Sequence, residues 1–156
     1  MLTGSSIPRA AVASRKILTH SPEETIAYGR EIGAGLKMPA LILLTGELGA
    51  GKTTLTKGIA SGAGAAEIDE VTSPTFTLVH KYERGTRVYH IDLYRIGDAR
   101  DFETLGLEDL FSERAVVIIE WPEKMALRTD WPVMRIQLEH VDENTRGISI
   151  DDDAGT

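Results

Sequence analysis

The stretch "ALILLTGELGAGKTT", residues 40–54, constrains this chain more than any other. Ala40 to Thr45 is a short continuous apolar run bounded by Pro39 and Gly46. A run of that kind suits a strand buried on both faces. Directly behind it, Gly46, Gly51, Lys52 and Thr53 fit the pattern G-x-x-x-x-G-K-[ST]. Glycines let the backbone fold so that successive N–H groups point inward at phosphates, at the positive end of the helix that follows. Lys52 then reaches the β- and γ-phosphates of a nucleotide, and the Thr53 hydroxyl joins the coordination of Mg²⁺. The continuation "KTTLTKGIASGAG" carries apolar residues at Leu55 and Ile59 and closes on glycines, which predicts a helix over 52–61.

The rest of the chain supplies a sheet around that unit. "HSPEETIAYGREIGAGLK" opens with Ser21 as N-cap, Pro22 at the first helical position and Glu24 three residues on, a capping box that predicts a helix over 22–34, ended by Gly33 and Gly35. "FTLVHKY" (76–82) and "RVYHIDL" (87–93) flank the short turn "ERGT" and read as an antiparallel hairpin at the edge of an otherwise parallel sheet. "DARDFETLGLEDLF" has helical spacing interrupted by Gly106, consistent with two short helices. "AVVIIEW" is a second fully apolar strand, and "PVMRIQLEHV" with "RGISID" form a closing pair. The fold class is therefore α/β: a P-loop nucleoside triphosphatase with a mostly parallel central sheet, antiparallel edge strands and helices on both faces. Residues 1–16 read as a loose extension or the product of a start codon placed too early, 17–150 as the P-loop domain, and 151–156 as an acidic, frayed tail.

Composition narrows the function classes. A formal net charge of −7 weighs against a free-standing nucleic-acid binder, which needs clustered Lys and Arg to neutralise phosphates. Any connection to RNA is expected through a partner. The chain has no cysteine, which excludes disulfide frameworks, thiolate zinc sites and thiol nucleophiles. "ALILL" and "AVVII" are far short of the roughly 20 residues a membrane-spanning helix needs, and residues 1–16 lack the apolar core of a secretory signal. No membrane association is expected, and a cytoplasmic location fits.

Phosphoryl transfer at such a loop also needs an acid at the end of a neighbouring buried strand. Glu120, closing "AVVIIE", is the first candidate and Asp92, closing "VYHID", the second. Between them and the loop lies "TSPTF", where Pro74 enforces an extended turn and Thr75 presents a hydroxyl of the kind that senses a γ-phosphate. His80, His90 and His140 lack metal-ligand spacing and are assigned no chemistry; Trp121 and Trp131 are read as core residues.

Four segments in order, "GELGAGKTT", "SPTFTLV", "YHIDLYR" and "IEWPEK", closely resemble the TsaE family, small bacterial P-loop ATPases that take part in threonylcarbamoylation of an adenosine beside the anticodon of tRNA. The resemblance spans about residues 18 to 150. It implies an ATP- and Mg²⁺-dependent ATPase that docks on the TsaB and TsaD proteins and meets tRNA only through that complex. It carries the phosphate-binding segment onto Glu47, Gly49, Ala50, Gly51, Lys52, Thr53 and Thr54. It makes Thr53 and Glu120 magnesium ligands, Asp92 the acid of "HxDLYR", Thr75 the switch-like threonine, and Thr25 of "PEET" a nucleotide contact. Without an obvious arginine-rich lid the activity alone is expected to be weak and raised by partners, with Arg95 or a partner's arginine stabilising transition-state charge. Two alternatives stay open on the residues themselves: a small-molecule or nucleotide kinase, and a nucleotide-dependent binding switch without catalysis. A guanine-specific switch is disfavoured because no N-K-x-D segment occurs.

Overall fold

The computed structural model describes residues 14–47, 49–74, 78–96, 106–124 and 129–152. Seven strands form one sheet: β1 (Ser14–Thr19), β2 (Ala40–Thr45), β3 (Val79–Glu83), β4 (Arg87–Asp92), β5 (Val116–Glu120), β6 (Val133–His140) and β7 (Arg146–Asp152). Their spatial order is β1-β7-β6-β2-β5-β4-β3. The four central strands β6, β2, β5 and β4 run parallel, and β7, β1 and β3 are antiparallel to their neighbours. The apolar run of β2 is thus the middle of the sheet, flanked on both sides, as its composition demands. Among the described residues no helix is long and apolar enough to cross a membrane.

Strand alternation sorts the core into two layers. Ile42, Leu44, Val88, Val116, Ile118 and Ile136 point to one face, where Ile32 of α1 (Pro22–Ala34) and Leu55 and Ile59 of α2 (Lys52–Gly62) pack on them. Leu41, Tyr89, Ile91, Val117 and Ile119 point to the other, covered among the described residues by Leu110 of the four-residue α3 (Leu107–Leu110), Phe111 and Trp131. Each buried Leu or Ile contributes about 1.5–3 kcal/mol relative to exposure, so this sheet is the rigid frame of the molecule.

Several local expectations change. Ser21 caps α1 as anticipated, its Oγ accepting from the Glu24 N–H at 3.1 Å, but the Glu24 carboxylate reaches the His20 N–H at 2.9 Å instead of that of Ser21. Gly33 does not end α1. A Cβ there would sit 2.1 Å from the Ile59 carbonyl oxygen, and one at Gly58 would sit 2.2 Å from that of Ile26. The glycines of "GREIG" and "GIASG" are therefore the surface along which α1 and α2 touch backbone to backbone, and Gly33 was misread as a helix terminator. β1 was not anticipated: residues 14–16, assigned above to an extension, pair with β7 from Ser14↔Asp151 to Thr19↔Arg146. β7 likewise runs two residues into the segment read as a tail. β3 begins at Val79, and residues 76 and 77, together with the first of the two short helices expected near residue 100, lie outside the described residues.

Candidate functional site

The parallel strands β2, β5 and β4 end side by side, with Leu44 opposite Glu120 and Glu120 opposite Asp92 in register. Ligands of open α/β sheets bind at such carboxyl ends. Backbone bonds tie the ends together: the Trp121 N–H donates to the Leu44 carbonyl at 3.3 Å, and the Leu93 N–H to that of Glu120 at 3.1 Å. Over them lies a cleft of about 340 Å³.

The loop between β2 and α2 forms the cleft's floor. Gly51 caps α2 with φ 100°, a conformation that other residues adopt only under strain. Gly46 is held so close to β6 that a Cβ would lie 2.6 Å from the Leu138 carbonyl oxygen. Lys52, the first residue of α2, is almost completely buried. Its ammonium donates to the carbonyls of Gly46 and, at 3.1 Å, of Glu47, and lies 4.2 Å from the centre of the Trp121 ring. Burial pushes its pKa below the ordinary lysine value, while Glu120, Asp92 and Glu123 oppose that shift. The lysine is thus a desolvated cation folded onto its own loop, facing carboxylates from two neighbouring strands.

Of the residues anticipated from the sequence, Thr25, Gly49, Gly51, Lys52, Thr53, Thr54, Asp92 and Glu120 all line this one cleft. Glu47 is exposed and contributes its carbonyl, and Ala50 is buried beneath the loop, its N–H donating to the Glu47 carbonyl at 3.0 Å. Thr25 is buried, its hydroxyl 2.7 Å from that of Thr19. Thr75 falls outside the described residues. The two acids differ. Asp92 is half-buried and oriented by the Tyr94 N–H at 2.9 Å and the Ser73 hydroxyl at 3.4 Å. Glu120 is buried and bonded through Oε2 to His90 Nε2 at 2.5 Å.

No group of three or more His, Cys, Asp or Glu forms a protein-only metal cage among the described residues. Mg²⁺ keeps several waters and takes one or two carboxylates together with substrate phosphates, and both a carboxylate and a threonine hydroxyl line this cleft. Glu120 and the Thr53 hydroxyl, in the first turn of α2, are the groups that could hold it.

Sequence reasoning missed four participants. His90, set aside above, is completely buried beside Glu120; a histidine between Tyr89 and Ile91 in a strand buried on both faces was its only signal. Trp121 packs partly into the core, as read, but with φ 60° it also turns its ring beneath Lys52. A positive φ at so bulky a residue is an outlier of the kind that collects at functional sites. Asn144 and Arg146, from the β6–β7 turn, complete the wall opposite the acids. Nothing local to "ENTRG" could have revealed that.

Comparison with known proteins agrees with this architecture. The family model described as threonylcarbamoyl adenosine biosynthesis protein TsaE matches residues 19–148. The tRNA threonylcarbamoyladenosine biosynthesis protein TsaE of Treponema pallidum is 33% identical over 135 residues, covering 86% of this chain and 98% of that protein. Its counterpart from Bacillus subtilis is 37% identical over 132 residues, covering 84% and 81%. A crystal structure of Bacillus subtilis YdiB superposes with a TM-score of 0.70 at 29% identity, covering 91% of this chain and 87% of that one.

Proposed function

The chain belongs to the TsaE family, whose role lies in tRNA threonylcarbamoyladenosine biosynthesis, and we propose that within that pathway it is a cytoplasmic Mg²⁺-dependent ATPase acting with the TsaB and TsaD proteins. One observation carries the reading: Lys52, Glu120 and Asp92, supplied by three separate elements, converge on a single cleft whose volume lies within the range of small-ligand pockets.

In this account the triphosphate enters over Gly49 to Thr54, where loop N–H groups and the positive end of α2 receive its negative charge. Lys52 gives up the carbonyls of Gly46 and Glu47 for the β- and γ-phosphate oxygens, a better partner for a desolvated cation. Mg²⁺, when bound, would supply positive charge against that developing on the phosphates. Thr53 and Glu120 hold the metal side of the cleft. Asp92, fixed by Ser73 and the Tyr94 N–H, takes the proton of the attacking water as the water oxygen bonds to phosphorus, in line with the bond to ADP that breaks. Thr25 and the β6–β7 turn bound the space left for the nucleoside. Thr75 serves as the γ-phosphate sensor of the switch segment.

Partner dependence follows from charge. Among the described residues lining the cleft the cations are Lys52 and Arg146, and the Arg146 guanidinium is engaged by the carbonyls of Asp142, Glu143 and Thr145. Arg95 is exposed and is not among the residues lining the cleft. A further cation from a partner would supply the missing transition-state charge. The test is phosphate release from MgATP with and without TsaB and TsaD. The pair should raise turnover, with water as the only phosphoryl acceptor; equal turnover with and without it would defeat the gating claim.

A further inference from the structure

Glu120 is a carboxylate with almost no contact with water, at the end of a strand whose other side chains are apolar. Such a group needs a bonded partner to stay charged and oriented. His90 supplies it from the next strand. β4 and β5 are parallel with His90 opposite Ile118 and Asp92 opposite Glu120, so the imidazole reaches diagonally forward to Glu120 Oε2. His90 Nδ1 is buried and has no hydrogen-bond partner among the described residues. An N–H on Nε2 donates to the Glu120 carboxylate in this geometry, whereas one on Nδ1 would have no acceptor there. The bond occupies Oε2 and leaves Oε1 for the cleft that Glu120 lines.

We infer that His90 is a positioning residue that fixes which oxygen of Glu120 faces the metal and phosphates. The inference rests on the ATPase reading above for the identity of the metal, but the His90–Glu120 bond can be tested apart from it. Groups that orient a metal ligand from behind typically change metal affinity by about 10–100-fold when lost. His90 is completely buried and is not among the residues lining the cleft, so its effect has to pass through Glu120.

The probe is a fluorescent ATP analogue titrated with and without graded Mg²⁺, on the full chain, with folding followed by circular dichroism. His90→Phe fills the space without a donor and should raise the half-saturating Mg²⁺ about tenfold, leaving metal-free nucleotide binding unchanged. His90→Gln, which can donate from the same side, should recover most of the loss. In a Glu120→Gln background His90→Phe should add less than about twofold, since both changes remove one interaction. A His90→Phe variant that binds Mg²⁺-nucleotide like the wild type, or loses as much again in the Glu120→Gln background, would overturn the role. If His90→Phe does not fold, imidazole ¹⁵N chemical shifts of the wild-type chain decide: an Nε2–H tautomer is expected, and an Nδ1–H tautomer overturns the inference. Wild-type binding with no Mg²⁺ dependence would sink the metal reading of the cleft, while the tautomer measurement would still decide whether His90 holds Glu120.

Discussion

The cleft has two walls built in different ways. One carries the charged chemistry, Lys52 at the start of α2 with Glu120 and Asp92 at the ends of adjoining parallel strands. Its two acids close strands held in register by apolar pairing, and Lys52 follows β2 across the glycine loop. The other wall joins Thr25 near the start of α1 to Asn144 and Arg146 in the β6–β7 turn. Segments over a hundred residues apart meet there through the antiparallel pairing of Thr19 with Arg146 and a 3.4 Å contact between His20 and Thr145. The first wall is rigid because it is the edge of the sheet. The second depends on how α1 and β1 are seated.

Substitutions should separate the walls by effect. Lys52→Ala is expected to lower partner-stimulated ATP turnover about 1,000-fold, the loss of one preorganised charge donor at the transferring phosphate. Circular dichroism should show an intact fold. Asp92→Asn should lower kcat about 100-fold, as for a lost general base. It should leave the Mg²⁺ requirement near wild type, whereas Glu120→Gln should shift that requirement; similar Mg²⁺ titrations for the two would erase the distinction between water and metal roles.

The second wall should respond differently. Gly58→Ala forces a methyl into the backbone contact with α1 and should cost about 2 kcal/mol of stability by denaturant unfolding. Because it unseats α1, nucleotide affinity should fall with it. An unchanged unfolding midpoint would mean that α1 and α2 can separate freely. Arg146→Ala should have the smallest effect, raising KM for ATP about tenfold with kcat little changed, on the scale of one hydrogen bond to a charged group.

Legibility in the sequence divides along the same line. The phosphate loop, both strand-end acids, α1 and the parallel core were readable because each is written locally: an apolar run, a glycine spacing, a cap, an acid closing a strand. β1 was missed because "SRKILT" looks unremarkable until β7 pairs with it, and pairing between distant segments leaves no local periodicity. Gly33 was misread because a glycine that ends a helix and one that lets two helices touch look the same in one dimension. His90 went unassigned for a related reason, since its partner sits 30 residues away on the adjoining strand. Thr75, named from sequence, lies outside the described residues.

The central claim is that Lys52 trades its own loop for a nucleotide's phosphates. A crystal structure of the chain with Mg²⁺ and a non-hydrolysable ATP analogue tests it most directly. The account predicts the Lys52 ammonium on β- and γ-phosphate oxygens, released from the Gly46 and Glu47 carbonyls, with the metal beside Thr53 and Glu120. A lysine still bonded to those two carbonyls, with the triphosphate bound elsewhere, would contradict it.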